Sequence, residues 1–184
     1  MIKESRKRLK RPSRVHPVAD LSQRKSFKQA SALAGIETVG LSILFLAYWL
    51  LHISGSVLAP LLAPTVVSFL LVLTTSGSPM SRPLRVIAAY AVAGCVGFAI
   101  AALPGPVFVK AVLAGGITML LMHLFGIFHA PAIAIPMIAV LTSASAGIAA
   151  LALPLLVLLA ALVVVLAWAT HRVLGDANYP QAWW

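Results

Sequence analysis

From Ser31 onward the chain reads as long apolar runs broken at short intervals by proline, glycine and small polar residues. After Glu37 the strongly charged positions are Arg82, Arg85, Lys110, Arg172 and Asp176, and the gaps between them measure how often the chain can cross a bilayer. One crossing takes about 20 residues. Thr38 to Ser81 has room for two crossings, Val86 to Val109 for one, and Ala111 to His171 for three joined by tight connections. The pattern predicts helices over roughly 32–52, 57–75, 84–103, 106–127, 131–150 and 153–173. The expected fold is an all-α, polytopic transmembrane helical bundle of about six spans.

The breaks carry their own turn chemistry. His52-Ile53-Ser54-Gly55-Ser56 closes the first run, Thr74 to Pro83 is a polar loop, and Pro104-Gly105-Pro106 is a tight turn. Pro131 and Pro154 fall near predicted helix starts, where proline's missing N–H costs nothing. Pro60 and Pro64 lie inside the second apolar run, so that helix starts late or is kinked. Ala63-Pro64 is followed by Val72-Leu73-Thr74-Thr75, and Ala130-Pro131 by Val140-Leu141-Thr142-Ser143. Six spans divide into three and three about Pro104-Gly105-Pro106, and an odd number per half puts the halves in opposite orientation, as two inverted three-span repeats. Chance likeness in a tract built from Ala, Leu, Val, Ser and Thr is the competing explanation.

Composition agrees with the pattern: 61% of the 184 residues are hydrophobic and 10% are charged, which excludes an ordinary soluble domain. The net charge of +10 is concentrated, since ten of the fourteen Lys and Arg lie between Lys3 and Lys28. Beside a membrane span such a run acts as a topology determinant, and nucleic-acid binding is set aside. The expected organisation is a basic cytoplasmic tail over 1–30, a transmembrane helical domain over 31–175 and a short aromatic tail over 176–184. The apolar region after Ala30 is too long for a cleaved signal peptide.

The positive-inside rule puts the N-terminus, the loop with Arg82 and Arg85, the His129 loop and the Arg172 end on the cytoplasmic side of a bacterial inner membrane. Lys110 disagrees, as a lysine that snorkels to the outer interface. Trp168, Tyr179, Trp183 and Trp184 fit an interfacial aromatic belt. Cys95, the single cysteine, is expected to be a small packed residue, and small residues along the third and fourth spans are expected to pack helices or a homo-oligomer.

Four landmarks in order resemble the HPP family of integral membrane proteins: Pro64-Thr65-Val66-Val67-Ser68, then Ser78-Pro79-Met80-Ser81-Arg82-Pro83-Leu84-Arg85-Val86-Ile87, then His129-Ala130-Pro131-Ala132, and finally Tyr179-Pro180 with Trp183. The third stands where the family's His-Pro-Pro signature would. This chain departs from the family in carrying Val66-Val67 before Ser68 and Ala132-Ile133-Ala134-Ile135 after Pro131, which removes a glycine and a threonine. The resemblance implies transport of a small anion such as nitrite.

Helix starts near Pro64 and Pro131 would point free N–H groups and positive dipole ends into the membrane from opposite sides, with an anion between them. Thr65, Ser68, Thr142 and Ser145 would add hydroxyls. His129 would add a charge that switches near pH 6.5, and Arg82 and Arg85 would gather anions at a vestibule. The bland alternatives are hydroxyls bonded to their own helix, an interfacial histidine and plain topology anchors. No metal or cofactor is expected, because His123 and His129 are six apart with no Cys or carboxylate beside them. An enzyme is not expected either, for the membrane part has no acid beyond Glu37. The alternative function is a non-transporting scaffold that binds partner helices through its small-residue faces.

Overall fold

The computed structural model describes residues 27–53, 59–142, 146–173 and 179–184, and the basic tail up to residue 26 lies outside them. Six α-helices follow in order: α1 (Phe27–Ile53), α2 (Leu62–Thr74), α3 (Pro83–Ala101), α4 (Val107–Leu124), α5 (Ala134–Leu141) and α6 (Ala146–Val173). A 3-10 turn precedes α2 (Ala59–Leu61), α3 (Pro79–Ser81) and α5 (Ala130–Ile133). Among the described residues three helices, α3, α4 and α6, are long and apolar enough to cross a membrane. No strand occurs among the described residues, so the chain is an all-α membrane bundle.

Each half is built long, short, long. The short members are α2 and α5 with their 3-10 starts, Ala59–Thr74 and Ala130–Leu141. At the rises of the two helix types they extend roughly 26 and 20 Å, less than the ~30 Å hydrocarbon core. Proline sets both starts. Pro60 and Pro131 are the second residues of the 3-10 turns, and Pro64 and Pro136 the third residues of the α-helices that follow. At all four positions the absent N–H would have had no intrahelical acceptor, or a poor one. The late start expected from Pro60 and Pro64 is present, but the structural counterpart of Ala130-Pro131 is Ala59-Pro60 rather than Ala63-Pro64.

Packing follows the same division. α2 packs on α1 and on α6, α5 packs on α4 and on α3, and α3 packs on α6. Each 3-10 start also contacts the short helix of the other half. Exchanging α1, α2, α3 for α4, α5, α6 leaves this set of neighbours unchanged. The two short helices run in opposite directions, because α2 ends and α5 begins at the loops joined by His129 and the Met80 carbonyl. The core around them is mainly apolar, with Phe69, Val72, Val86, Ala89, Ala93, Ile135, Leu156, Ala160 and Val163 all fully buried, and it encloses the buried polar residues Thr65, Ser68 and His129.

Glycine makes the tightest crossing. A Cβ on Gly97 would come within 2.5 Å of the Pro136 Cα, so α3 and α5 approach to backbone contact there. Gly105 turns the α3 to α4 connection at φ +135. Lys110, the exception to the charge rule, is held by specific bonds, its ammonium donating to the Ala101 and Leu103 carbonyls, each at 3.1 Å. These lie at and just beyond the C-terminal end of α3, where unsatisfied carbonyls and the negative end of the helix dipole welcome a cation.

Three expectations are corrected. Pro154 does not start a helix but lies inside α6. In an apolar setting an unbroken helix satisfies more backbone than a new start would, even with one N–H lost. For the same reason the fifth predicted segment does not run to residue 150: α5 ends at Leu141 and α6 has begun by Ala146. Cys95 is exposed, on a shallow apolar groove it shares with Ala91, Leu153 and Pro154.

The close approach of α3 and α5 predicts that Gly97→Ala destabilises the bundle by about 1 to 3 kcal/mol through overpacking. Gly116→Ala, where an added Cβ meets nothing within 4 Å, should be neutral or slightly stabilising through helix propensity. Thermal denaturation of both variants in detergent checks the contrast.

Candidate functional site

The site begins where α4 stops. Gly126, at φ +65, reverses the chain so that the Ile127 N–H returns to the Met122 carbonyl at 2.9 Å. Ile127 is thereby buried, and two residues later His129, in extended conformation, enters the interior just ahead of the Ala130–Ile133 turn. The imidazole is fully buried.

Its two nitrogens meet different partners. Nδ1 lies 3.0 Å from the Met80 carbonyl, and Nε2 lies 2.8 Å from the Ser68 hydroxyl on α2. Ser68 Oγ in turn is 2.7 Å from the Tyr90 hydroxyl on α3. A carbonyl only accepts, so Nδ1 carries the proton and the neutral ring accepts at Nε2. Ser68 must then donate to Nε2, and Tyr90 must donate to Ser68. One carbonyl thus sets the direction of the whole chain, from Tyr90 through Ser68 and His129 to Met80.

Sequence explains why that carbonyl is free. Met80 is the middle residue of the Pro79–Ser81 turn, capped by the Ser78 hydroxyl, which accepts from the Met80 N–H. Its carbonyl would next look to residue 83, and Pro83 has no N–H. The Leu84 N–H, one further on, donates instead to the Trp183 carbonyl at 3.0 Å. His129 supplies the missing donor.

A second layer covers this loop. Tyr179 is buried, and its hydroxyl donates to the Ser81 carbonyl at 3.2 Å, while Arg82 Nη1 donates to the Trp184 carbonyl at 2.7 Å. Burial pushes the Tyr179 phenol up to about 12, so it remains a donor through the physiological range. Its ring stacks on His171 at 4.8 Å. Ser81 also pairs with Thr75 through their hydroxyls at 2.8 Å. A polar crevice of about 20 Å³, room for one water, lies among Ser78, Ser81, Arg82, Tyr179 and Gln181. Residues 179–184 therefore fold over the 75–82 loop, and Tyr179 belongs to this layer rather than to an interfacial belt.

The predicted residues divide accordingly. Ser68 and His129 meet directly, and Thr65, buried one turn before Ser68, lies beside the Tyr90 hydroxyl while its own hydroxyl reaches the Leu61 carbonyl at 3.4 Å. Pro64 is buried in the first turn of α2 and Pro131 half-buried ahead of α5. Arg82 and Arg85 stand at the start of α3, neither with an acidic partner among the described residues, and Arg85 Nε has no hydrogen-bond partner. Thr142 is not part of the site: its hydroxyl donates to the Ile138 and Ala139 carbonyls of its own helix. Ser145 lies outside the described residues.

Tyr90 and the Met80 carbonyl were not anticipated. The signal for Tyr90 was present, since a tyrosine midway along an apolar, small-residue helix needs a partner for its hydroxyl. No metal-binding group of three or more His, Cys, Asp or Glu occurs among the described residues.

The burial of His129, which lies in the α4 to α5 connection outside the spanning helices, pushes its imidazole down to about 4, with the Met80 bond acting weakly in the opposite sense. The switch expected near pH 6.5 is therefore displaced downward in the closed protein. A family model described as HPP, transmembrane region, matches residues 23–180. Neither the curated proteins nor the solved structures gave a match.

Because the folded pKa lies below the unfolded value, the unfolded chain binds the extra proton first as pH falls. Stability is full above about pH 6.5 and is lost progressively toward pH 4, by up to about 3 kcal/mol from this one group. The difference between the parent and His129→Gln in pH-dependent denaturation isolates it from the other histidines. The parent should lose stability more steeply between pH 6.5 and 4.

Proposed function

We propose that this chain, which belongs to the HPP family of integral membrane proteins, moves a small monovalent anion, nitrite-like in size and charge, through the junction of its two short helices. The observation that carries the reading is the buried chain of Tyr90, Ser68 and His129. Three polar side chains in contact at the meeting of α2, α3 and the α5 start cost more to bury than an apolar filling would. A polar interior placed between oppositely directed short helices is the arrangement in which transporters of several folds hold their substrates.

Charge supports an anion over a neutral solute. Arg82 and Arg85 stand above the junction without described acidic partners, and the first turn of α3 adds its positive dipole end. Anions would collect at this end, which we take as cytoplasmic, and pass the 75–82 loop toward Ser68 and His129. There the helix starts at Pro131 and, from the opposite end, Pro60 and Pro64 contribute positive ends of their own. On this reading the full burial of His129 corresponds to a closed state of the path.

Uptake into proteoliposomes of nitrite, nitrate and chloride, with urea and glycerol as neutral comparisons, tests the reading. Anion flux above that of protein-free vesicles is expected. Arg82→Gln with Arg85→Gln should lower it severalfold at low ionic strength and much less at physiological salt, where charges are screened beyond about 8 Å. Absence of flux for every solute would favour the scaffold alternative.

A further inference from the structure

The junction as it stands is both satisfied and uncharged. In the neutral state the chain has three donors, Nδ1–H, the Ser68 O–H and the Tyr90 O–H, and each has an acceptor: the Met80 carbonyl, Nε2 and Ser68 Oγ. Adding a proton to Nε2 converts an acceptor into a donor. Nε2–H then donates to Ser68, and the Ser68 O–H, no longer held by Nε2, can turn to the Tyr90 oxygen. The Tyr90 O–H is displaced from Ser68, and the Thr65 hydroxyl beside it is its remaining acceptor. The cation itself meets no counter-charge.

The titratable and charged groups on the surrounding elements are Tyr90, Arg82 and Arg85 on and before α3, and His123 on α4, which stacks on Phe128 at 4.6 Å. Tyr179 and His171 stand in the covering layer. Apart from Tyr90, whose ring is 6.1 Å from the imidazole, none contacts His129 in the bonds described. α2 and the Ala130–Leu141 segment carry no titratable group at all. Protonation thus reverses the bond chain and creates one unmet positive charge in an apolar interior.

An anion supplies the missing counter-charge, and it finds no full positive charge at the junction when His129 is neutral. We propose that a proton on His129 and a monovalent anion occupy this junction only together, so that the protein carries them as an electroneutral one-to-one pair. The proton comes from water on the entry side, forms the Nε2–H bond on binding and returns to water on the exit side as that bond breaks. The anion leaves with it. Linkage makes the effect reciprocal: each partner tightens binding of the other by the same factor. This inference rests on the anion reading above and adds the coupled ion.

The test uses the full chain in proteoliposomes loaded with a pH-sensitive dye, with nitrate as the probe because it has no membrane-permeant acid form near neutral pH. Nitrate entry should acidify the lumen, rise about tenfold for each unit fall in external pH between 8 and 6 by mass action on one proton, and be unchanged by a potassium diffusion potential of either sign. His129→Gln, whose amide takes up no proton, should abolish the acidification. Tyr90→Phe, which removes the hydroxyl that must reorient when His129 is protonated, should slow coupled entry severalfold, with a fall in melting no larger than the loss of one buried hydrogen bond explains. Nitrate entry driven by an inside-positive potential without acidification would overturn the pairing and leave anion transport standing. Full coupling in His129→Gln would overturn it as well. No nitrate, nitrite or chloride flux at any pH would sink the pairing and the anion reading together.

Discussion

A buried imidazole that must keep one proton on Nδ1 is the constraint from which the rest of this structure follows. The Met80 carbonyl sets that tautomer at 3.0 Å, and Ser68 answers it at 2.8 Å. In an apolar interior each group lacks water as a fallback, so losing any one partner leaves another unpaired at a cost of about 1 to 3 kcal/mol. The bond network therefore fixes the relative position of α2, the 75–82 loop, α3 and the start of α5. Nonpolar packing could hold these helices together, but it could not set their register with the same directionality.

Short helices are the second requirement. Had α2 and α5 run the full thickness of a bilayer, their starts would lie at the surface, where water satisfies the first N–H groups. Proline near each start shortens them, and the backbone approach of Gly97 to Pro136 lets α5 lie deep against α3. The likeness of the two halves is architectural, while the polar chain is not duplicated. The α5 segment Ala134–Leu141 carries no polar side chain to answer Ser68 in α2. The frame is near-symmetric, but the polar chain crosses it once.

The covering layer connects this interior to the surface. Tyr179, the Trp183 carbonyl and the Trp184 carbonyl hold the same loop whose Met80 carbonyl holds His129. A movement of that loop would reach the imidazole through one hydrogen bond. The cations at the start of α3 share this layer, with Arg82 bonded to the Trp184 carbonyl.

Sequence alone determined the class of protein and much of its layout. Long uncharged runs can be satisfied in a bilayer only as helices, and the basic residues sorted the loops so that the Arg82 loop, the His129 connection and the Tyr179 segment were expected on one side, where the contacts place them together. The turn at Gly105 and the late start of α2 were legible from proline and glycine, and Ser68 and His129 were singled out as rare polar residues. Their partnership was not. Ser68 and His129 are separated by 61 residues and Tyr179 and Ser81 by 98, and hydrophobic periodicity records which face of a helix is buried, not what it faces. The same limit assigned a helix start to Pro154 and counted Thr142 in the site, because proline and threonine have local uses that only the surrounding packing distinguishes. Tertiary structure decided which hydroxyls bond their own helix and which bond across helices, since that depends on whether a partner from elsewhere in the chain arrives within 3 Å.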